Sequence, residues 1–183
     1  MEYNAIGLIE YSSIAKGIGS ADAMVKAANV ELVLSRTICS GKFMTLIAGD
    51  VEAVKNAVSA GVDYAQESVI GSFVIPNVHP DVFPAMSGSN QIEELDALGI
   101  IESFTVAALI EGADAAVKAA EVRLIEIRLA MALGGKAFVT LTGEIGAVEA
   151  AVAAGVEVVS REAMLDNSVV IPSPRPELIR DIL

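Results

Sequence analysis

The sequence is poor in the residues from which most active sites are built. It has one cysteine, Cys39, one histidine, His79, and no tryptophan. A single cysteine excludes an internal disulfide and a single-chain metal site made of several cysteines, but not a site shared between copies of the chain. Aromatics make up 4% of the residues, too few for a platform on which sugars or bases stack. Cations are outnumbered: 12 Lys and Arg stand against 24 Asp and Glu, for a net charge of −12. Such a chain repels phosphate backbones and has no basic stripe, so nucleic acid is not expected as a partner. No uncharged apolar run reaches the roughly 20 residues that span a bilayer, so no membrane is expected either. No basic segment followed by an apolar core opens the chain, and no signal peptide is expected. A Gly-rich phosphate loop is also missing, since Gly17 and Gly19 alone are too sparse to make one.

Apolar residues, by contrast, are abundant, at 54% with a mean hydropathy of +0.58. In a chain without a membrane span, that surplus points to burial in contacts between subunits.

The sequence is also duplicated. Ala5-Ile6-Gly7-Leu8-Ile9-Glu10 returns as Ala97-Leu98-Gly99-Ile100-Ile101-Glu102. Ala21-Asp22-Ala23 returns as Ala113-Asp114-Ala115, and Val25-Lys26-Ala27-Ala28 as Val117-Lys118-Ala119-Ala120. Gly41-Lys42 and Gly61 match Gly135-Lys136 and Gly155 at a longer spacing, so the second copy gained residues in between. Ser72, Ile75-Pro76 and Pro80 match Ser168, Ile171-Pro172 and Pro176. Each copy is large enough for one modest core. The expected domains are residues 1–87 and 97–183, joined by a polar, Gly-containing linker over 88–96.

Each copy reads strand, helix, strand, strand, helix, strand. In the first, strands are expected at 5–10, 30–34, 43–48 and 69–75. The second of these shows alternation of Val30, Leu32 and Leu34 with Glu31, Val33 and Ser35. An Ala-rich helix is expected at 21–29. A second helix is expected from the N-cap Asp50 to Gly61, with Val51, Val54, Ala57 and Val58 at helical spacing. Glu144 opens the equivalent helix in the second copy. The predicted fold class is α+β, with helices packed on an antiparallel sheet.

These residues resemble the bacterial microcompartment (BMC) shell domain, a ferredoxin-like α/β sandwich. The marks are Ile6 through Glu10, Ala21-Asp22-Ala23-Met24-Val25-Lys26-Ala27-Ala28-Asn29-Val30, Gly49-Asp50-Val51-Glu52-Ala53-Val54 and Val74-Ile75-Pro76. The second copy carries Gly99 through Glu102, Ala113 through Ala120, Gly143-Glu144 and Val170-Ile171-Pro172-Ser173-Pro174-Arg175-Pro176. The resemblance covers nearly the whole chain. It implies a tandem member forming a homotrimer shaped like a hexamer, a structural tile rather than an enzyme, in the shell of a cytoplasmic compartment. It further implies that Thr37, Ile38, Cys39, Ser40 and Gly41 line a central pore. Lys26, Asn29, His79, Lys118 and Arg175 would lie at the tile edge, against neighbouring tiles.

Cys39 replaces the glycine expected in the pore turn. That departure is similar to the PduT-type tandem shell proteins and implies one [4Fe–4S] cluster per trimer, held by three Cys39 thiolates. An encapsulated or cytosolic redox protein would be the electron partner. Clusters normally take four thiolates, so the fourth iron would need another ligand. The N–H groups around Ser40 and Gly41, with the Ser40 hydroxyl, are expected to donate to sulfur, Gly41 to allow close backbone approach, and Arg36 and Lys42 to offset negative charge. In the second copy the matching turn, Leu129-Ala130-Met131-Ala132-Leu133-Gly134-Gly135, is longer and lacks cysteine. Three alternatives stand beside this reading: a plain tile whose pore passes metabolites, a trigonal zinc site, and a small-molecule-binding regulator. Glu10 and Glu102 are repeat-related, which points to structural hydrogen bonding rather than paired acid–base catalysis.

Overall fold

The computed structural model describes residues 4–90, 92, 95–161, 163–175 and 177–178. Gln91, Glu93 and Glu94 of the expected linker, and Pro176 of the repeated motif, lie outside the described residues.

The chain forms two compact units. One holds Met1–Val78 together with Ala130–Gly135, the other His79–Leu129 and Lys136–Leu183. Contact boundaries therefore differ from the boundaries of the duplication. Residues 79–87, assigned to the first domain by sequence, belong with the second unit, and the long turn of the second copy belongs with the first.

The first unit runs β1 (Ala5–Tyr11), α1 (Ile14–Ala27), β2 (Glu31–Ile38), β3 (Lys42–Gly49), α2 (Val51–Ala65) and β4 (Val69–Pro76). Its sheet is antiparallel in the order β2-β3-β1-β4, with Leu8 opposite Leu46 and Phe73. All seven residues of β1 are buried, as befits a central strand covered by helices. The core gathers Ile9, Tyr11, Met24, Phe43, Ile47, Val54, Ala57 and Val58. The Tyr11 hydroxyl lies 2.8 Å from Ser20 Oγ, which donates to the Gly61 carbonyl. Burial pushes the Tyr11 hydroxyl above its usual pKa, and this chain of hydrogen bonds satisfies it in its neutral form.

The second unit contains α3 (Val82–Ser87), β5 (Ala97–Ser103), α4 (Val106–Ala119), β6 (Val122–Arg128), β7 (Ala137–Gly143), α5 (Ile145–Ser160) and β8 (Leu165–Ile171). The order β6-β7-β5-β8 repeats that of the first sheet, and Ile100 sits opposite Thr140 and Val169. Helix α3 lies against β6 and α4.

Several elements depart from their expected form. Helix α1 begins at Ile14, where the Ser13 hydroxyl caps it by accepting from the Lys16 N–H. Gly17 hid this first turn from a propensity reading. It is needed because a Cβ there would lie 2.5 Å from the Phe43 ring. Gly61 does not end α2. It is an interior contact point, where a Cβ would lie 2.6 Å from Ile9 Cδ1. Asp50 occupies the N-cap position but makes no side-chain capping bond; its carboxylate accepts from the Asn4 amide at 3.4 Å. Strand β2 is longer than expected, and a register shift between Leu32 and Leu34 breaks the simple alternation. Among the described residues, no helix is long and apolar enough to cross a membrane.

Candidate functional site

Strands β2 and β3 pair down to Ile38 opposite Lys42, and Cys39–Gly41 closes them in one tight turn. Ser40 (φ 64) and Gly41 (φ 71) are left-handed. Nothing lies within 4 Å of a Cβ built on Gly41, so the glycine serves its positive φ rather than the close approach expected of it. Of the five residues expected around a pore, Thr37, Ser40 and Gly41 are exposed and Cys39 is half-buried. Ile38 is buried, with its side chain inside the unit.

The sulfur is met by the second turn. Ala130 (φ 46), Ala132 (φ 60), Gly134 (φ 63) and Gly135 (φ 94) are all left-handed. For the two alanines that conformation costs about 1 kcal/mol each. Left-handed residues recurring in a turn direct several N–H groups to one side, forming an anion-binding nest. The Ala132 N–H donates to Cys39 Sγ at 2.9 Å, and the Cys39 N–H donates to the Ala130 carbonyl at 2.8 Å. Backbone hydrogen bonding from Leu133, and then from Ala132, Gly135 and Gly134, outweighs partial desolvation and holds the Cys39 thiol below its usual pKa.

The donors are thus not the ones expected. The Ser40 hydroxyl donates to the Gly134 carbonyl at 3.3 Å instead of to sulfur, and the N–H groups come from residues 132–135. The only sequence signal for this was the extra length and paired glycines of the second turn. Lys42 pairs with the buried Glu10 at 2.9 Å. Arg36 Nε is buried without a hydrogen-bond partner. Its repeat mate Arg128, by contrast, is held by Glu126 at 2.9 Å.

An iron–sulfur cluster binds through thiolates, and its potential is set partly by N–H groups donated to sulfur. A half-buried cysteine in a nest of amides fits one such ligand. Among the described residues, no group of three or more His, Cys, Asp or Glu side chains gathers within the chain. Within one chain the nest therefore presents a single sulfur.

The residues expected at an edge fall into two places. In the second unit, the His79 N–H donates to Asp114 Oδ1 at 2.8 Å, and Lys118 bonds the other oxygen of the same carboxylate. In the first unit, Lys26 pairs with Asp22 at 2.6 Å. Asn29 and Arg175 are exposed. A further ionic group, not anticipated, joins Lys136 to Asp166 and, at 3.3 Å, to Glu102. Hydrogen bonding to Asp166 raises the Lys136 pKa, and the same contact lowers that of Asp166. A groove of about 120 Å³ opens beside it, lined by Ile100, Glu102, Asn167, Ser168 and Val169.

Comparison with known proteins agrees with this geometry. The BMC domain matches twice, over residues 5–78 and 97–174. The bacterial microcompartment shell protein PduT of Citrobacter freundii is 41% identical over 179 residues, covering 98% of this chain and 97% of that protein. The carboxysome assembly protein CcmO of Synechococcus elongatus is 29% identical over 187 residues, covering 96% of this chain and 67% of the relative. A crystal structure of a microcompartment protein from Desulfitobacterium hafniense superposes with a TM-score of 0.86 at 51% identity, covering 96% of this chain and 98% of that one. With both copies matched and the order of strands and helices shared, the chain belongs to the BMC-domain family of bacterial microcompartment shell proteins, as a tandem member.

Proposed function

We propose that three copies of the chain close into a ring of six domains, a flat tile of the microcompartment shell, with Cys39 from each copy meeting at the central axis. There the three thiolates hold one [4Fe–4S] cluster, which supplies one-electron transfer across the shell to an encapsulated or cytosolic redox partner. The role is structural and conductive rather than enzymatic, and neighbouring tiles meet the ring at its rim.

The observation that carries this reading is the amide nest on the Cys39 sulfur. A cysteine kept as an inert core residue sits in apolar surroundings that raise its pKa, whereas a ligand sulfur needs stabilisation as thiolate. Two alanines held in left-handed backbone around that sulfur are strain of the kind that clusters at functional sites. A ring of three supports the stoichiometry, because a closed trimer multiplies one axial ligand by three.

Iron and sulfide analysis after anaerobic reconstitution tests the proposal. About four irons per three chains are expected, with the absorbance and EPR signature lost in Cys39→Ser. An iron-free, colourless trimer would leave a plain tile whose pore passes metabolites, and zinc in place of iron would indicate a trigonal site.

A further inference from the structure

The turn that carries the sulfur and the turn that meets it come from different repeats, yet both fall in the first compact unit. The Cys39 N–H donates to the Ala130 carbonyl at 2.8 Å, and the Ser40 hydroxyl donates to the Gly134 carbonyl at 3.3 Å. Between these two anchors the Ala132 N–H donates to Cys39 Sγ at 2.9 Å. The backbone bends that aim it are set by Ala130 (φ 46), Ala132 (φ 60), Gly134 (φ 63) and Gly135 (φ 94). The donor is therefore held in place by main chain on both sides, independently of what the sulfur binds. The Leu133 backbone bears on the same sulfur, and more strongly than that of Ala132.

A thiolate bound to one iron keeps lone pairs that still accept N–H. An electron added to a cluster places further negative charge on its sulfurs, and a hydrogen bond to a more negative acceptor is stronger. Donors fixed beforehand need no reorganisation when that charge arrives. They favour the reduced form and so raise the reduction potential.

We propose that the backbone N–H groups of Ala132 and Leu133, supplied by the second copy of the repeat, raise the reduction potential of the group that Cys39 holds. This rests on the cluster reading above and deepens it. The first copy provides the ligand, and the second provides the dipoles that set the potential. In a closed ring each donor acts once per chain on one shared group, so its effect is multiplied. The effect belongs to the main chain, so a side-chain change that keeps the N–H and its backbone angle leaves it intact.

An EPR-monitored redox titration of the anaerobically reconstituted protein tests this. Lactate in place of Ala132, and independently the α-hydroxy analogue of leucine in place of Leu133, turns one amide into an ester. Each change removes one N–H and keeps the side chain. In each ester chain the ratio of oxidised to reduced cluster at a fixed ambient potential should rise at least about tenfold, a fall in midpoint of about 59 mV for one electron. Ala132→Gly keeps the donor and should change that ratio less than about twofold. Iron should stay at about four per three chains throughout. In the cluster-free protein, Cys39→Ala removes the acceptor and should speed hydrogen exchange of the Ala132 amide at least about tenfold.

An unchanged ratio in both ester chains with iron retained, or an Ala132 amide that exchanges alike with and without the sulfur, overturns this inference and leaves the cluster reading standing. Iron lost from the ester chains alone also overturns it, because the N–H groups then hold the group rather than tune it. A wild-type protein that takes up no iron overturns both.

Discussion

The Ala132 N–H donates to the Cys39 sulfur at 2.9 Å, joining residues 93 positions apart. The sulfur and its donors come from the same turn of the two repeats, and each copy has been given a different part. The first has a short turn with a cysteine; the second has a longer one whose backbone reaches the sulfur.

That pairing adds to the larger effect of the Leu133 backbone in holding the Cys39 thiol below its usual pKa. Proline at 132 removes the N–H and cannot adopt φ 60. Ala132→Pro should therefore move the midpoint of Cys39 alkylation by iodoacetamide upward, toward the ordinary thiol value of 9.0. Ala132→Gly keeps the donor and accepts the backbone angle, so the alkylation profile should not move. Relief of left-handed strain, less the entropy of a glycine, should leave that variant about 0.5 kcal/mol more stable.

The Glu10–Lys42 pair stands beside the Cys39 turn, where β3 begins. Glu10 is fully buried and Lys42 is 20% exposed. Removing the cation alone leaves a buried carboxylate without it, at a cost of about 3 kcal/mol. Urea unfolding of Lys42→Met should read a loss of that order, and Glu10→Gln in the same chain should recover a large part of it.

The Lys136–Asp166 contact gives a pH dependence at both ends of the scale. Asp166 titrates below 3.8 in the folded protein, so its contribution is present above that value and is lost as pH falls through the depressed folded pKa. Lys136 titrates above 10.5; its contribution is present below that value and is lost as pH rises through the elevated folded pKa. Melting temperatures of wild type and Lys136→Met should converge at both extremes and differ between them.

Gly155 tests the crossing of α4 and α5. A Cβ there would lie 2.8 Å from the Gly112 carbonyl and 2.5 Å from Ile101. The carbonyl belongs to a helix and cannot swing aside, so Gly155→Ala should cost about 2 kcal/mol, read by thermal or chemical unfolding.

Much of the fold was legible because its signals are local or repeated. Two copies of Ile-Gly-Leu-Ile-Glu type strands, Ala-rich helices and terminal Ile-Pro pairs fix the order of elements, and the structure reproduces it in both sheets. Boundaries suffered where glycine has a tertiary purpose. Gly17 and Gly61 read as breaks but are contact points inside helices, since only the packing of Phe43, Ile9 and Met24 shows why no side chain fits there. Helix α3 was invisible because six residues containing a proline carry no periodic signal.

The sequence by itself determined the duplication, the α+β class, the family and the one sulfur available for chemistry, because each is written in contiguous residues or in their recurrence. Tertiary structure alone decided what surrounds that sulfur and which apolar faces stay open. The Cys39 nest joins turns from two repeats, and Ile18 and Ile110 are the same residue in opposite surroundings. Burial is a property of neighbours, and neighbours distant in the chain leave no mark on the letters at either place.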